Sequence, residues 1–335
     1  MLAGALATAM LPGAVSAAGD ATKFRSSQAA LEQGLVDFKR GDYAKAVPAL
    51  EFAAANDQLL AQFTLAQLYA DNAGTETDHA KAYMLFQTIA DEHSDADPDD
   101  DSRAPYIAKA LTALAGYLRV GISEIGLKPD PERAADYLHH AALFFGDEDA
   151  QFELVKLKLR GEGIPADIAS AKHWLAVLTQ RGHAGAQAFL ADLYWRGKFM
   201  EQDKIKAYAL IAVAVEHAPP RERIWIEDVY QNIFCGAGEG IRKQATGMVA
   251  EWRTRYGRKM DEPGVSRLGP LNPSTTRMCA NGDPLPQLDA RALPGAISQS
   301  GEMAPPTTTS SLRDVGITTT ERLPVPGLVP DAHAH

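Results

Sequence analysis

The sequence predicts an all-α chain: a right-handed superhelical solenoid of stacked helix hairpins, closed by a helical C-terminal cap and followed by a disordered tail. Three observations carry this. A short block ending in alanine recurs, closing at Ala46, Ala82, Ala134, Ala171 and Ala207. These alanines are 36, 52, 37 and 36 residues apart, a period of about 36 with one insertion, which is the mark of a repeat array. Bulky apolar residues follow each block three or four positions later (Leu50, Phe86, Leu138, Leu175, Ile211), and that is helical spacing.

Each repeat should hold two helices. The first carries Ala61-Gln62 with Leu65 and Leu68, Leu111 with Leu114 and Leu118, Ala150-Gln151 with Leu154 and Leu157, or Ala186-Gln187 with Leu190 and Leu193. The second begins at the alanine block. Between them stand Gly41, Gly121, Gly161, Gly163 and Gly197, residues able to take the positive φ that ends a helix and turns the chain. The alanines have a packing role, because a methyl group lets two helix backbones approach where a leucine would hold them apart. A hairpin of this kind cannot bury its apolar face alone, so neighbours stack.

Taken in order, residues 1–18 form an apolar run ending in Val15-Ser16-Ala17-Ala18, small residues that suit signal peptidase, so we expect export to the periplasm as a soluble chain. No Lys or Arg precedes the run, so the usual positive region is missing. The array should occupy 26–218, with an acidic, proline-bearing insertion at 91–105 that accounts for the long interval. Exposed and acidic, this insertion suits a periplasmic protease. Residues 219–257 read as capping helices, Arg221 to Phe234 and Gly238 to Tyr256, with Ile241, Ala245, Met248, Val249 and Trp252 on one stripe of the second. Residues 258–335 hold 11 of the 20 prolines among Thr, Ser and Gly, a composition that favours disorder.

The chemistry expected is binding. A net charge of −10 argues against nucleic acid or an anionic membrane as partner. Two cysteines, Cys235 and Cys279, are too few for a metal site built on four; in an oxidising compartment they either pair or remain two free thiols. No metal-protease helix, phosphate-binding loop or dinucleotide fingerprint occurs, and Gly236-Ala237-Gly238-Glu239-Gly240 reads as a connector. Asp95, Asp97 and Asp99 open like a calcium loop, but Asp100 stands where glycine is needed and Tyr106 where a bidentate glutamate belongs, so no metal and no cofactor is expected. The pair His139-His140 is the candidate for pH sensing, since adjacent helical residues point about 100° apart and one could face the core. Partner contacts are expected from the inner helices, whose solvent-facing residues by the repeat pattern include Gln67, Tyr69, Tyr117, Arg119, Lys156, Lys158, Tyr194 and Arg196. Tyr and Arg are good anchors at interfaces, although Tyr69 and Tyr194 could equally pack between repeats.

Gly161-Glu162-Gly163-Ile164, then Ala171-Lys172-His173-Trp174-Leu175 and Gly182-His183-Ala184-Gly185-Ala186-Gln187, resemble the Sel1-like repeat, a relative of the tetratricopeptide repeat. The likeness covers Ala29 to about Ala218, and the first unit, with its Gly41-Asp42-Tyr43 turn, is nearer a plain tetratricopeptide. With the export signal and the leading Gly41-to-Ala54 segment, the arrangement resembles the ExoR-type periplasmic regulators. That resemblance implies a non-enzymatic repressor that binds the periplasmic domain of a membrane sensor histidine kinase and holds it inactive, controlling exopolysaccharide synthesis and motility. The tail beyond Gly257 has no counterpart in it. A different class, an envelope enzyme or an accessory factor for cell-wall or polysaccharide assembly, finds no pair of carboxylates to support it.

Overall fold

A computed structural model of the chain describes residues 24–71, 77–99, 101–219, 221–256, 277–280 and 285. Among these the chain is all-α. The helices are α1 (Ser27–Lys39), α2 (Tyr43–Ala54), α3 (Leu59–Asp71), α4 (His79–His93), α5 (Ala104–Val120), α6 (Pro131–His139), α7 (Glu148–Arg160), α8 (Ile168–Gln180), α9 (Ala184–Arg196), α10 (Lys204–Ala214), α11 (Arg223–Gly236) and α12 (Glu239–Tyr256). The described residues include an isolated antiparallel bridge between Ile122 and Leu127. The chain divides into two compact units, Met1–Ile89 and Ala90–His335. The apolar leader expected at 1–18 lies outside the described residues.

The recurring alanines fall where the period places them. Ala46, Ala82, Ala134, Ala171 and Ala207 are wholly buried, one near the start of the second helix of each hairpin. The five turn glycines all take positive φ, between 64° and 80°. Gly163 has the least room, because a Cβ there would lie 2.0 Å from the carbonyl oxygen of Pro131.

An aspartate four residues before each alanine shapes the turn. The carboxylates of Asp78, Asp130, Asp167 and Asp203 accept the amides of Lys81, Arg133, Ser170 and Lys206 at 2.9–3.0 Å, capping α4, α6, α8 and α10. A capping side chain satisfies one of the amides that a helix start leaves orphaned. The same four residues donate their own backbone N–H to Tyr69, Leu118, Lys158 and Tyr194 near the end of the preceding helix. Each hairpin is thereby tied across its turn.

Successive hairpins are tied by glutamine. Gln62, Gln151 and Gln187 are buried, and their side-chain amides donate to the carbonyls of Ala54, Ala142 and Thr179, at the C-terminal ends of the preceding helical segments. The carbonyls of Ala54 and Thr179 also accept the turn amides of Asp57 and Gly182, so each glutamine donor joins an existing helix-end bond and satisfies its own buried amide.

Three boundaries differ from the sequence reading. Residues Asp91–His93 continue α4 and Ala104 with Pro105 open α5, so the non-helical insertion is confined to 94–103. Proline is tolerated in the first turn of a helix, where its missing N–H is not needed, so Pro105 does not extend the loop. The first capping helix is shifted by two residues at both ends, to Arg223–Gly236, while the second begins at Glu239 and ends at Tyr256 as expected. Within the expected tail, Arg277–Ala280 and Leu285 lie against α11, with Cys279 and Leu285 buried in the same apolar cluster as Ile226, Val229 and Ile233. Cys235 and Cys279 form a disulfide with a Cα–Cα distance of 5.4 Å.

Candidate interaction surface

The first helices of the hairpins in the second unit, α5, α7 and α9, hold most of the residues expected to meet a partner. Arg119 of α5 reaches between two glutamates, its Nε 2.7 Å from Glu162 and its Nη1 3.3 Å from Glu153 of α7. Glu153 also accepts from Lys156, one turn further along the same helix, and Arg160 closes on Glu162 at 3.2 Å. Burial would raise the carboxyl of Glu162, but Arg119 and Arg160 beside it hold it below its ordinary range. Lys158 lies 3.6 Å from Asp167, the cap of α8. The result is a half-buried lattice around α5 and α7 in which Arg119, Lys156, Lys158 and Arg160 meet Glu153, Glu162 and Asp167.

Other expected residues sit differently. Arg196 of α9 is exposed and pairs at 2.8 Å with the buried Asp192, whose carboxyl burial pushes up despite the guanidinium. Tyr117 and Gln67 are half-buried. Tyr194 is half-buried too and packs on the core of the second unit, with the Lys206 ammonium 5.7 Å from its ring centre. Tyr69 is a correction: it is 7% exposed, and its hydroxyl donates to Glu51 at 2.7 Å. Its ring fills the seam between α2, α3 and α4, with Lys81 above it at 5.0 Å, so it serves packing in the first unit.

His139 ends α6, and His140 opens a π-helical turn, His140–Phe144. The His140 ring is stacked on Phe144 with centroids 4.9 Å apart, and its Nε2 donates to the carbonyl of Ser94 at 2.7 Å. Both imidazoles are partly open to solvent. Beside them Leu143 and Phe144 are exposed at 58% and 44%. A π-turn inserts an extra residue into the helix and so rotates the following side chains outward.

A second titratable group escaped the sequence reading. His183 is 5% exposed and caps α9: its Nδ1 accepts the Ala186 amide at 3.1 Å, which leaves Nε2 to donate to Asp149 at 3.0 Å. Burial would lower this imidazole, yet the Asp149 hydrogen bond and the charges of Glu222 and Asp149 leave it raised. Glu222, just before α11, lies over Gly185, where a Cβ would come within 2.8 Å of its carboxyl oxygens. Burial pushes the Glu222 carboxyl up to about 7, with Asp149 and Glu153 adding to the rise and His183 and Lys156 opposing it. Asp147, the cap of α7, is raised to about 6, first by burial and then by Asp149. The only trace in the sequence is small: Gly185 stands inside a helix where an alanine would be the ordinary choice. Among the described residues no group of three or more His, Cys, Asp or Glu side chains could hold a metal ion.

With this geometry in hand, the pattern of family matches decides the repeat type. The Sel1 repeat matches at 59–94, 108–143, 148–183 and 184–216. The chain carries Sel1 repeats. Each match begins at or near the first helix of a hairpin and runs through the second, and α1 with α2 precedes the first of them. Two relatives are similar over most of the chain. The exopolysaccharide production negative regulator of Rhizobium meliloti is 29% identical over 227 residues, covering 68% of this chain and 82% of that protein. The protein of the same description from Rhizobium leguminosarum bv. viciae is 29% identical over 215 residues, covering 64% and 78%. Among solved structures, a protective antigen of uropathogenic Escherichia coli with an SLR fold aligns at a TM-score of 0.51 and 21% identity. The alignment spans 69% of this chain and 46% of that one, so the likeness is one of fold.

Proposed function

We propose that this chain is an exported, non-enzymatic negative regulator of exopolysaccharide production that acts by binding another protein. The observation that carries the reading is its similarity, over 68% of its length, to a relative described as such a regulator. The fold supports it, because stacked hairpins offer a long side-chain surface. In the finer form of the proposal, the partner is the periplasmic sensor domain of a membrane histidine kinase, and motility genes answer to the same control. Repression then works by population shift: the chain binds the inactive kinase conformation more tightly than the active one, and its loss releases the kinase. The surface offered is the charge lattice of α5, α7 and α9, where Arg119, Lys156, Lys158 and Arg196 can exchange their present carboxylates for those of a partner.

Deletion of the gene tests both levels. Exopolysaccharide output and kinase-dependent transcription should rise, and the wild-type gene restored on a plasmid should return both to their starting level. A rise in exopolysaccharide without a change in kinase-dependent transcription would leave the regulator and remove the kinase. Unchanged output of both would remove the regulatory reading altogether.

A further inference from the structure

The Cys235–Cys279 bond joins two parts of different character. Cys235 belongs to the array: it lies in the last turn of α11, and its neighbour Gly236 packs so close to α9 that a Cβ would stand 2.5 Å from the Trp195 ring. Cys279 belongs to a short strap, described at Arg277–Ala280 and Leu285, that lies 44 residues further along the chain. Among the described residues the strap has these other ties. Arg277 pairs with Asp228 at 2.6 Å and Glu227 at 3.3 Å, the Gln231 amide donates to the carbonyl of Met278 at 3.0 Å, and Leu285 is buried. The Leu285 N–H donates to the Arg277 carbonyl, closing the strap on itself. Ion pairs in partial contact with water hold weakly, since each must order two long side chains and compete with solvent. The covalent bond is therefore the strongest of the ties that hold the strap on α11, beside the burial of Cys279 and Leu285.

That bond is also reachable. A shallow, open cavity of about 500 Å³ lies beside it, lined by Asp228, Gln231, Asn232, Gly236 and both cysteines. Cys235 is the more open of the two, whereas Cys279 is 7% exposed. A cross-link whose purpose is purely to hold a core together is ordinarily closed to reagents, and exchange depends on access to a sulfur.

We infer that the Cys235–Cys279 cystine is a thiol–disulfide exchange site, at which a dithiol reductant opens a latch and frees the strap from α11 while the helical array stays folded. The steps balance. A reductant thiolate attacks Cys235 Sγ from the cavity, a mixed disulfide forms, and Cys279 leaves as a thiolate and takes up a proton. The reductant's second thiol loses its proton and attacks its own sulfur in the mixed disulfide, releasing Cys235, which is protonated in turn. The dithiol ends as a disulfide, having passed two electrons and two protons to the cystine. This inference stands independently of the regulatory reading.

The test uses the full oxidised chain and dithiothreitol under native conditions, with thiols counted by maleimide labelling and amide exchange followed by mass spectrometry. Two thiols should appear together with the helical circular dichroism signal retained. The peptide carrying 277–285 should then exchange at least ~10-fold faster, while peptides of α9 and α10 stay unchanged, as expected for a local opening. Cys279→Ser should show the fast exchange without reductant. If that variant does not fold, the reduced wild-type chain carries the test alone. Thiols that appear only as the helical signal is lost, or a strap equally protected after reduction, would overturn the inference.

Discussion

Replacing Glu222 with glutamine should stabilise the second unit at neutral and alkaline pH and flatten its dependence on pH. The carboxyl of Glu222 is raised from 4.5 to about 7, chiefly by burial, so the folded state binds its proton more tightly than the unfolded chain does. Stability linked to such a group is fully present below the unfolded value and is lost as pH rises through the folded one. The same direction holds for Asp147, raised to about 6, and for His183, raised above 6.5. The wild-type unit should therefore lose stability as pH climbs from about 4.5 to above 7. At ~1.4 kcal/mol per pKa unit the Glu222 displacement sets a ceiling of about 3 kcal/mol. Partial solvent contact and the nearby Lys156 reduce this, and we expect Glu222→Gln to gain about 1–2 kcal/mol at pH ~8 and almost nothing at pH ~5. Urea denaturation followed by tryptophan fluorescence reads this unit alone, because Trp174, Trp195, Trp225 and Trp252 all lie beyond Ile89. In the variant the His183 titration, followed by NMR, should move down as well, since Glu222 helps to raise it. A variant no more stable than wild type at pH ~8, with the same slope against pH, would refute the reasoning.

Two further outcomes concern the turns. Gly163→Ala must place a methyl group 2.0 Å from the Pro131 carbonyl oxygen at a positive φ, and should cost about 2–4 kcal/mol in the same urea assay. Asp167→Ala removes the cap accepted by the Ser170 amide and should cost about 1 kcal/mol, while Asp167→Asn should retain most of it; equal losses in the two would point to the Lys158 ion pair as the stronger tie.

Much of the fold was legible because a repeat states its geometry several times over. The alanine spacing located five buried positions, and the glycines located five left-handed turns. The aspartate that caps four of the second helices was equally regular but unremarked, since an isolated Asp reads as a solvated surface residue until its distance to the buried alanine is counted. The surface was harder to read. Repeat phase assigned Tyr69 and Tyr194 to solvent, yet an aromatic ring at that position covers enough area to be drawn into the neighbouring helix, and Tyr69 is buried with its hydroxyl satisfied by Glu51. Phase cannot foresee this, because it gives the direction of a Cβ and not the reach of the side chain. His183 and Glu222 are 39 positions apart in sequence, and only the approach of α11 to the start of α9 brings them near one another. A contact of that kind leaves no periodic trace.

The aspartate turn has a consequence for how such a chain can change over time. Its ties run from one carboxylate and one amide to backbone atoms, which every amino acid other than proline supplies alike. The outward faces of the helices can then be rewritten without disturbing the joint, and a whole hairpin can be gained or lost as a single edit of about 36 residues. Adaptation to a new partner need not wait on a redesign of the framework that presents the contacts.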